Sequence, residues 1–271
     1  MRGFIDLHSH WVAGIDDGVK TPADGIALLR GLHAAGFSTV VATPHMRPGM
    51  FENDRDALLS AFAAMTPHLD AARAGGAGGP LPEVHLASEH FFDEVVFDRL
   101  KRGLGLPYPS LLPSPDPSAS AGAPPGRAPR KAGRSVLVEF PPTHFPAFVQ
   151  ARFFDLKRAQ LTPVLAHPER YQPVWRDDSC LNPILDSGAH LLLDVGSLIG
   201  KYGRAAQRAS EKLLEEEAYE AACSDAHKPE DVEWVVRAIA RLEELVGKEE
   251  SVRLLSDGPR NIMNAGSARN A

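Results

Sequence analysis

Two histidines lie one residue apart near the start of the chain, in the segment "DLHSH", and Asp6 precedes them. Side chains two residues apart project from the same face of a β-strand, which would place Asp6, His8 and His10 together. Two adjacent imidazoles can bind one cation, and we expect Asp6 to orient one of the rings without binding the metal itself. The segment therefore predicts part of a metal site.

Further side chains of the metal-binding types end other apolar segments. Five of the six further strand-like segments finish with such residues: His45, Glu89, Glu139, His167, and Asp225 with His227. The sixth carries Asp194, which we leave out of the predicted site. Charged groups at the ends of buried strands are costly unless they are paired or coordinated, and in a β/α barrel functional groups gather at these ends. The pattern predicts that these side chains converge on one rim.

The elements that would position these residues alternate along the chain. Strands are predicted at residues 4–8, 37–43, 83–88, 135–140, 162–167, 189–195 and 219–225. Helices are predicted at residues 22–35, 54–73, 91–103, 146–160, 204–218 and 230–246. The first helix has a clear start, because Thr21 can cap it and Pro22 suits its first position. Repeated strand–helix units predict an α/β fold with a parallel sheet, either open or closed into a barrel.

One segment departs from this alternation. Residues 107–134 contain eight prolines, four basic residues and a single acid. Such a composition cannot bury a core, so we predict a mobile loop or disordered insert. The rest of residues 1–264 is predicted to be a single domain, followed by a flexible C-terminal tail at residues 265–271.

The composition narrows the class of protein. The chain has 271 residues, of which 44% are hydrophobic and 24% charged, as is usual for a globular protein. A formal net charge of −6 gives no support for a nucleic-acid partner. No apolar run approaches the ~18 residues of a membrane span, so no membrane insertion is expected. The two cysteines fit neither a disulfide framework nor a CxxC pair, and a cytoplasmic location is predicted.

A mechanism that uses a nucleophilic cysteine with a following arginine does not fit the sequence. It would need an arginine after five intervening residues, but Asp186 follows Cys180 at that spacing and Pro229 follows Cys223. Neither cysteine has a basic partner nearby that would activate it. The chemistry must therefore come from the histidines and carboxylates.

Seven short motifs occur in a fixed order: "DLHSH", "DDG" at 16–18, "ATPH" at 42–45, "SEHFF" at 88–92, "LVEFP" at 137–141, "AHPERY" at 166–171 and "SDAH" at 224–227. Together they resemble the PHP (polymerase and histidinol phosphatase) superfamily. More narrowly, they resemble the bacterial CpsB/YwqE-type protein-tyrosine phosphatases, which oppose the kinases of capsule and exopolysaccharide synthesis. The resemblance covers residues 3–264 apart from the Pro-rich segment, and it implies a distorted (β/α)7 TIM-like barrel in a single domain.

The resemblance also implies three divalent metal ions. The first would be bound by His8, His10, Glu89 and Asp225; the second by Glu89, Glu139 and His167; and the third by Asp17, His45 and His227. Nitrogen and oxygen ligands without a thiolate suit manganese, iron or zinc, and manganese is the expected ion.

The expected activity is metal-assisted hydrolysis of a phosphate monoester. Arg170, three residues after His167, is expected to bind a phosphate oxygen, although a salt bridge to a neighbouring acid is the alternative. Arg47, two residues after His45, is a second and weaker candidate for substrate binding. The implied substrate is a phosphotyrosine-bearing protein, namely the tail of a bacterial tyrosine kinase.

Other functions share parts of this pattern. A small-molecule PHP phosphatase, such as a histidinol phosphatase, would have the same metal site. A polymerase-associated exonuclease is disfavoured by the acidic charge, and a non-catalytic binding module by the presence of all nine ligands. The tyrosine-phosphatase subgroup often has an arginine shortly after "SDAH", whereas this chain has Lys228 there and Arg237 only later. Substrate preference therefore stays open. The remaining histidines are predicted to be structural or surface residues: His33, His68, His85, His90, His144 and His190.

Overall fold

The computed structural model describes residues 2–75, 78–111 and 134–264. Its strands are β1 (Phe4–Ser9), β2 (Phe37–Ala42), β3 (His45–Met46), β4 (Glu83–Leu86), β5 (Glu89–Phe91), β6 (Arg134–Glu139), β7 (Leu161–Ala166), β8 (His190–Asp194) and β9 (Ala221–Cys223). Its helices are α1 (Pro22–Ala35), α2 (Arg55–Ala74), α3 (Glu94–Lys101), α4 (Val149–Arg158), α5 (Gln172–Arg176), α6 (Asn182–Asp186), α7 (Arg204–Glu215), α8 (Asp231–Val252) and α9 (Gly258–Asn264). Within these ranges, no helix combines the length and apolar character needed to cross a bilayer.

The strands form two parallel sheets, with the orders β1-β2-β4 and β3-β5-β6-β7-β8-β9. Hydrogen bonds continue from one sheet to the other, because Ala87 N donates to Ala42 O at 2.8 Å and Glu89 N donates to Thr43 O at 3.3 Å. β2 with β3, and β4 with β5, are therefore two interrupted strands. The predicted strands 37–43 and 83–88 each end in such a break, which displaces His45 and Glu89 onto short separate strands at the rim.

The seven strand positions close into a barrel where β1 meets β9. Ser9 and Ala226 form a parallel bridge, His10 N donates to Ala226 O at 2.9 Å, and Asp225 N donates to His8 O at 3.0 Å. This closure confirms the predicted β/α barrel and excludes an open sheet. Thr21 caps α1 as predicted, since its Oγ1 accepts a hydrogen bond from Asp24 N at 3.2 Å.

Side chains from the strands fill the barrel interior, so it is a packed core and not a pore. This inner cluster consists of Ile5, Leu7, Val41, Ala87, Tyr108, Leu137, Val164, Ala166, Leu192, Ala221, Cys223, Ile262 and Met263. The last two belong to α9, which covers part of this cluster. A larger apolar cluster lies between the strands and the surrounding helices.

The predicted limits of the Pro-rich segment, 107 and 134, are wrong at both ends. Tyr108 is fully buried in the barrel interior, and its hydroxyl donates to Leu7 O at 3.0 Å. Its main-chain N donates to Ser135 O at 2.9 Å, and Arg134 is the first residue of β6. A composition averaged over the whole segment hides one aromatic anchor. Residues 112–133 and the predicted tail 265–271 lie outside the described residues.

A bulge in β1 changes which side chains share a face. Asp6 pairs with Val40 and Ser9 with Ala42, so β1 contains one residue more than β2 over this interval. Such a bulge interrupts the alternation of side chains and often redirects one beside an active site. Simple alternation, which placed Asp6 with His8 and His10, therefore does not hold across this point.

Candidate metal centre

The carboxyl ends of the strands bring the predicted ligands together in four overlapping groups. Within each group, one nitrogen or oxygen from every residue lies within 4.8 Å of the others. The groups are His8, Glu89 and His167; His8, His10 and Asp225; His10, Asp17, His45 and His227; and His45, Glu89 and Glu139. All nine residues expected to bind metal occur in at least one group.

Glu89 is at the middle of this arrangement. Its Oε2 lies 3.0 Å from His45 Nδ1 and 3.4 Å from His8 Nε2, while its Oε1 lies 3.1 Å from His167 Nε2. Burial by itself would raise the pKa of Glu89, but the charges of His8 and His45 hold it well below its usual range. The side chain is therefore a buried carboxylate that can face more than one cation.

Asp225 connects the histidines of β1 to an arginine. Its Oδ1 lies 3.0 Å from His8 Nε2 and 3.4 Å from His10 Nε2, and its Oδ2 accepts a hydrogen bond from Arg170 Nη1 at 2.6 Å. Although burial would raise the pKa of Asp225, His8 and His227 hold it well below its usual range. The carboxylate of Asp225 thus faces the candidate metal ligands with one oxygen and Arg170 with the other.

The group containing Asp17 is the most accessible. Asp17 Oδ1 lies 3.4 Å from His45 Nε2 and 3.6 Å from His227 Nε2, and its side chain is 54% exposed. Burial opposes ionisation of Asp17, but its hydrogen bond with His45 lowers its pKa below the ordinary value. An ion at this end of the centre would be open to solvent and to substrate.

Glu139 and His167 approach Glu89 separately. Glu139 Oε2 lies 4.0 Å from His45 Nδ1 and 3.9 Å from Arg47 Nη1. Burial, with the charge of Glu89 added, raises the pKa of Glu139 to about 7. The ligand set implied for the second ion joins Glu139 with His167, whereas here they fall in different groups that share Glu89.

The chemistry of these side chains fits bound cations. Glu139 Oε2 and Asp225 Oδ1 are buried, and neither receives a well-aligned hydrogen bond from the described residues. A buried carboxylate oxygen without a donor is costly, and a cation would satisfy it. A donor set of imidazole nitrogens and carboxylate oxygens without a thiolate suits manganese, iron or zinc.

The backbone is strained at two of the expected ligands. His167, directly after β7, has φ 37° and ψ 58°, and Asp225, just beyond β9, has φ 46°. Residues other than glycine seldom adopt this left-handed region, and where they do the strain is often found at functional sites. The sharp turns let each side chain leave its strand toward the centre.

Asp16 is a functional residue that the sequence analysis missed. Its Oδ2 accepts hydrogen bonds from His10 Nδ1 at 2.7 Å and from His45 N at 3.2 Å, and its Oδ1 accepts one from Gly18 N at 2.9 Å. Asp16 therefore fixes the ring of His10 with Nε2 facing the centre. The available signal was the doubled aspartate of "DDG", of which only Asp17 was considered.

Asp6 does not have the expected role. Its carboxylate accepts hydrogen bonds from Ser224 N at 3.0 Å, from the Ser224 hydroxyl and from His8 N at 3.3 Å, but none from a histidine ring. It joins β1 to the segment after β9 where the barrel closes. The expectation that Asp6 orients a ring is wrong because Asp16 takes that position.

Gly18, the last residue of "DDG", has a steric reason to be glycine. A Cβ atom there would lie 2.2 Å from His10 O and 2.6 Å from His10 Cβ. A larger residue would displace the loop that carries Asp16 and Asp17. The motif therefore combines one orienting carboxylate, one candidate ligand and one close approach of the backbone.

Arg170 forms the salt bridge that was the alternative considered from the sequence, and its binding of phosphate stays a prediction. It forms an ion pair with Asp225, and its Nη1 also lies 3.6 Å from Asp194 Oδ2. Its guanidinium carbon lies 4.3 Å from the centre of the Tyr202 ring. Because its side chain is 28% exposed beside the ligands, it can still reach a bound anion.

Asp194, which lies near Arg170, is held in place by a second buried carboxyl group, that of Glu169. Glu169 Oε1 accepts hydrogen bonds from Asp194 N at 3.1 Å and from Ser197 Oγ at 2.9 Å, and its Oε2 accepts one from Tyr219 OH at 3.0 Å. Burial, with Asp194 alongside, raises the pKa of Glu169 to about 8. The sequence analysis left Asp194 out, although it lies next to the arginine.

Arg47 flanks the centre near Glu139. Its guanidinium carbon lies 4.1 Å from the ring centre of Phe91, and its Nη1 lies 3.9 Å from Glu139 Oε2. The ring of Phe51, at the end of the same loop, stacks on that of His45 with centres 5.2 Å apart. Arg47 therefore lies beside Glu139, and its predicted contact with the substrate stays a prediction.

The other histidines stand apart from these groups. None of His33, His68, His85, His90, His144 and His190 belongs to the four groups found among the described residues. His90 is buried, and its Nδ1 lies 2.8 Å from Leu137 O while its Nε2 accepts a hydrogen bond from Leu106 N at 3.2 Å. Burial lowers the pKa of His90 to about 4, so it is a neutral structural residue.

Known proteins are similar to this chain in sequence and in fold. The tyrosine-protein phosphatase YwqE of Bacillus subtilis is 29% identical over 223 residues, which cover 82% of this chain and 77% of that protein. The tyrosine-protein phosphatase CpsB of Streptococcus pneumoniae is 23% identical and covers 96% of this chain and 98% of its own. A chain from the crystal structures of these two proteins, described as unique metal-dependent tyrosine phosphatases, superposes with a TM-score of 0.77 and 26% identity. That superposition covers 96% of this chain and 94% of the other.

A more distant likeness concerns the fold alone. The phosphotriesterase homology protein of Escherichia coli superposes with a TM-score of 0.55 at 13% identity, over 97% of this chain and 99% of that protein. The sequence itself matches the family described as "Capsular polysaccharide synthesis, CpsB/CapC" over residues 4–104 and 129–264. Because this match spans well over half of its length, the chain belongs to the CpsB/CapC family.

Proposed function

We propose that the protein is a metal-dependent phosphomonoester hydrolase that removes phosphate from phosphotyrosine in proteins. The observation that carries the proposal is the cluster of nine nitrogen and oxygen ligands around Glu89, with Arg170 and Arg47 beside it. The printed names of the relatives, tyrosine-protein phosphatases, support the same substrate class.

We propose three divalent ions at this centre, with manganese the expected metal and iron or zinc the alternatives. His8, His10, Glu89 and Asp225 would hold the first, Glu89 with Glu139 and His167 the second, and Asp17 with His45 and His227 the third. When bound, such ions act as Lewis acids toward a phosphate and lower the pKa of a nearby water.

The side chains of the protein itself would bind and orient the ester. Arg170 presents a planar guanidinium that can donate two hydrogen bonds to phosphate oxygens, and Asp225 and Asp194 hold it in place. Arg47 would contact the phosphate from the side of Glu139. Tyrosine is an undemanding leaving group, since a phenol has a pKa near 10 and needs less help from an acid than an alkyl alcohol.

The biological setting is also a proposal. The family description refers to capsular polysaccharide synthesis. We propose that the substrate is the phosphorylated tail of a bacterial tyrosine kinase linked to capsule or exopolysaccharide synthesis, and that the reaction takes place in the cytoplasm. Residues 1–264 would form the catalytic domain and residues 265–271 a tail.

A comparison of three substrates tests this assignment. The purified protein, loaded with Mn²⁺, is offered a phosphotyrosyl peptide, a phosphoseryl peptide and histidinol phosphate in parallel. We expect the phosphotyrosyl peptide to be hydrolysed with the highest kcat/KM, and activity to disappear with chelator or in His8→Ala. A preference for histidinol phosphate would overturn the assignment, and metal binding without hydrolysis of any substrate would indicate a binding module.

A further inference from the structure

A groove with a volume of about 550 Å³ opens beside the metal centre, on the side of Arg170. Its lining includes Lys201, Tyr202 and Trp234, which the reaction described above does not use. Lys201 and Tyr202 follow the loop after β8, and Trp234 lies in the first turn of α8. The groove therefore joins residues from two separate parts of the chain next to a possible phosphate-binding arginine.

Two positively charged side chains lie near the same aromatic ring in this groove. The guanidinium carbon of Arg170 lies 4.3 Å from the centre of the Tyr202 ring, and Lys201 Nζ lies 5.0 Å from the same centre. Lys201 Nζ also lies 3.4 Å from the centre of the Trp234 ring. Cations are attracted to the faces of aromatic rings, so the two rings restrict where the ammonium group can be.

The residues around Lys201 and Trp234 leave space for both side chains and hold the tryptophan ring in place. A Cβ atom at Gly196 would lie 2.9 Å from Lys201 Cδ and 3.0 Å from Trp234 Cζ3, so glycine leaves the space that both side chains occupy. Trp234 Nε1 donates to Asp231 Oδ1 at 3.1 Å, and Asp231 Oδ2 accepts a hydrogen bond from His227 N at 2.8 Å. The Trp234 ring is thus tied to the loop that carries a candidate metal ligand.

Lys201 makes no direct ion pair with an acid of the described chain, although its charge acts on the buried carboxyl group of Asp194. No carboxylate in the described part of the chain lies within 4.0 Å of its Nζ. Two acidic residues of the lining are already engaged, Asp225 by Arg170 and Asp231 by main-chain N–H groups and Trp234. The third, Glu230, is exposed, as is the neighbouring Lys228. A positioned ammonium group without a direct ion pair is suited to pairing with an anion supplied by a ligand.

We propose that this groove binds the part of the substrate next to the phosphotyrosine, and that Lys201 pairs there with an acidic side chain. The inference rests on the proposed phosphatase function and adds a sequence preference to it. Arg170 and Lys201 contact the same ring, so their separation cannot exceed the sum of the two distances to its centre. An extended peptide advances ~3.3 Å per residue and covers such a separation in about three residues, so we test acids within three residues of the phosphotyrosine.

A charge-exchange experiment tests this pairing. Three phosphotyrosyl peptides are compared. They differ only at one position within three residues of the phosphotyrosine, which is Glu, Gln or Lys. The wild-type protein should prefer the Glu peptide over the Gln peptide by about fivefold in kcat/KM, as expected for one exposed ion pair. Lys201→Met should lose this preference through a higher KM, and Lys201→Glu should prefer the Lys peptide.

Lys248→Met is the matched control, since Lys248 is an exposed lysine of α8 outside the groove. It should retain the full preference for the Glu peptide. Reversal of the preference in Lys201→Glu cannot arise from a purely structural role, and a folding defect would lower kcat/KM for all three peptides equally. If wild type and both Lys201 variants rank the peptides alike, the inference is overturned while the phosphatase assignment stands. If the Mn²⁺-loaded wild type hydrolyses none of the peptides, the proposed function itself is overturned.

Discussion

Replacement of Asp16 by asparagine tests whether metal binding depends on a residue that binds no metal. Asp16 accepts a hydrogen bond of 2.7 Å from His10 Nδ1 and another from Gly18 N at its other oxygen. Asparagine has one oxygen and one NH₂ group, so it can accept only one of the two bonds. If its NH₂ group faces His10, Nδ1 must become the acceptor and the proton moves to Nε2, the nitrogen that faces the centre.

The expected loss follows from this bond. A hydrogen bond from His10 to a buried carboxylate contributes ~1.5–3 kcal/mol. Loss of a carboxylate that orients a metal-binding histidine typically weakens metal affinity about ten- to hundredfold, which corresponds to ~1.4–2.7 kcal/mol. The two ranges agree, so we expect Asp16→Asn to weaken Mn²⁺ binding by about ten- to hundredfold.

Calorimetric titration of the metal-free protein with Mn²⁺ measures this directly, and hydrolysis at increasing Mn²⁺ should show the same shift. Asp98→Asn is the matched control, because Asp98 is exposed and, among the described residues, its carboxylate pairs with Arg102 just after α3. The melting temperature of each metal-free variant separates weaker binding from unfolding. Equal Mn²⁺ affinity in wild type and Asp16→Asn would refute the role assigned to Asp16.

Three further changes address the centre and its support. Glu89→Gln should lower the amount of bound metal, measured by elemental analysis, and should reduce hydrolysis by about a hundredfold, since Glu89 faces His8, His45 and His167; full metal content with full activity would contradict this. Arg170→Lys should reduce kcat/KM for a phosphotyrosyl peptide about ten- to hundredfold without changing metal content, because an ammonium group lacks the planar fork; unchanged kcat/KM would remove Arg170 from phosphate binding. Glu169→Gln should alter the pH dependence of stability. The carboxyl group of Glu169 loses its proton near pH 4.5 in the unfolded chain and near pH 8 in the folded protein. Between those values Glu169 therefore lowers the free energy of unfolding by ~1 kcal/mol per pH unit. Urea unfolding of the metal-free proteins from pH 5 to 8 should therefore show a shallower decline in the variant, and equal slopes would show that Glu169 is already ionised.

The sequence predicted the ligands because burial makes them conspicuous. Glu89, His167 and Asp225 follow apolar strands, where an unpaired charge is costly and a functional reason is needed. The parallel strands of a barrel then bring these ends to one rim. Asp17, which ends no strand, was predicted only from the family resemblance.

Finer details depended on geometry that a sequence pattern does not contain. The bulge in β1 separates Asp6 from His8, although alternation alone places them on one face. Asp16 and Asp17 are neighbours of the same type, and only the turn at Gly18 decides which of them faces His10. Tyr108 lies among prolines, and only its depth in the barrel shows that it belongs to the core.

The division of the barrel into two sheets has a consequence for the stability of the metal-free protein. His8 lies in β1 of the first sheet and His10 comes just after it, whereas Glu89 begins β5 of the second sheet and Asp225 comes just after β9 of that sheet. A cation bound between these residues is a cross-link over the line where the barrel closes. By mass action, a ligand that binds only the folded state at a hundred times its Kd adds ~2.7 kcal/mol to stability. Metal supply in the cell would then govern how long the folded chain survives proteolysis, in addition to how fast it works.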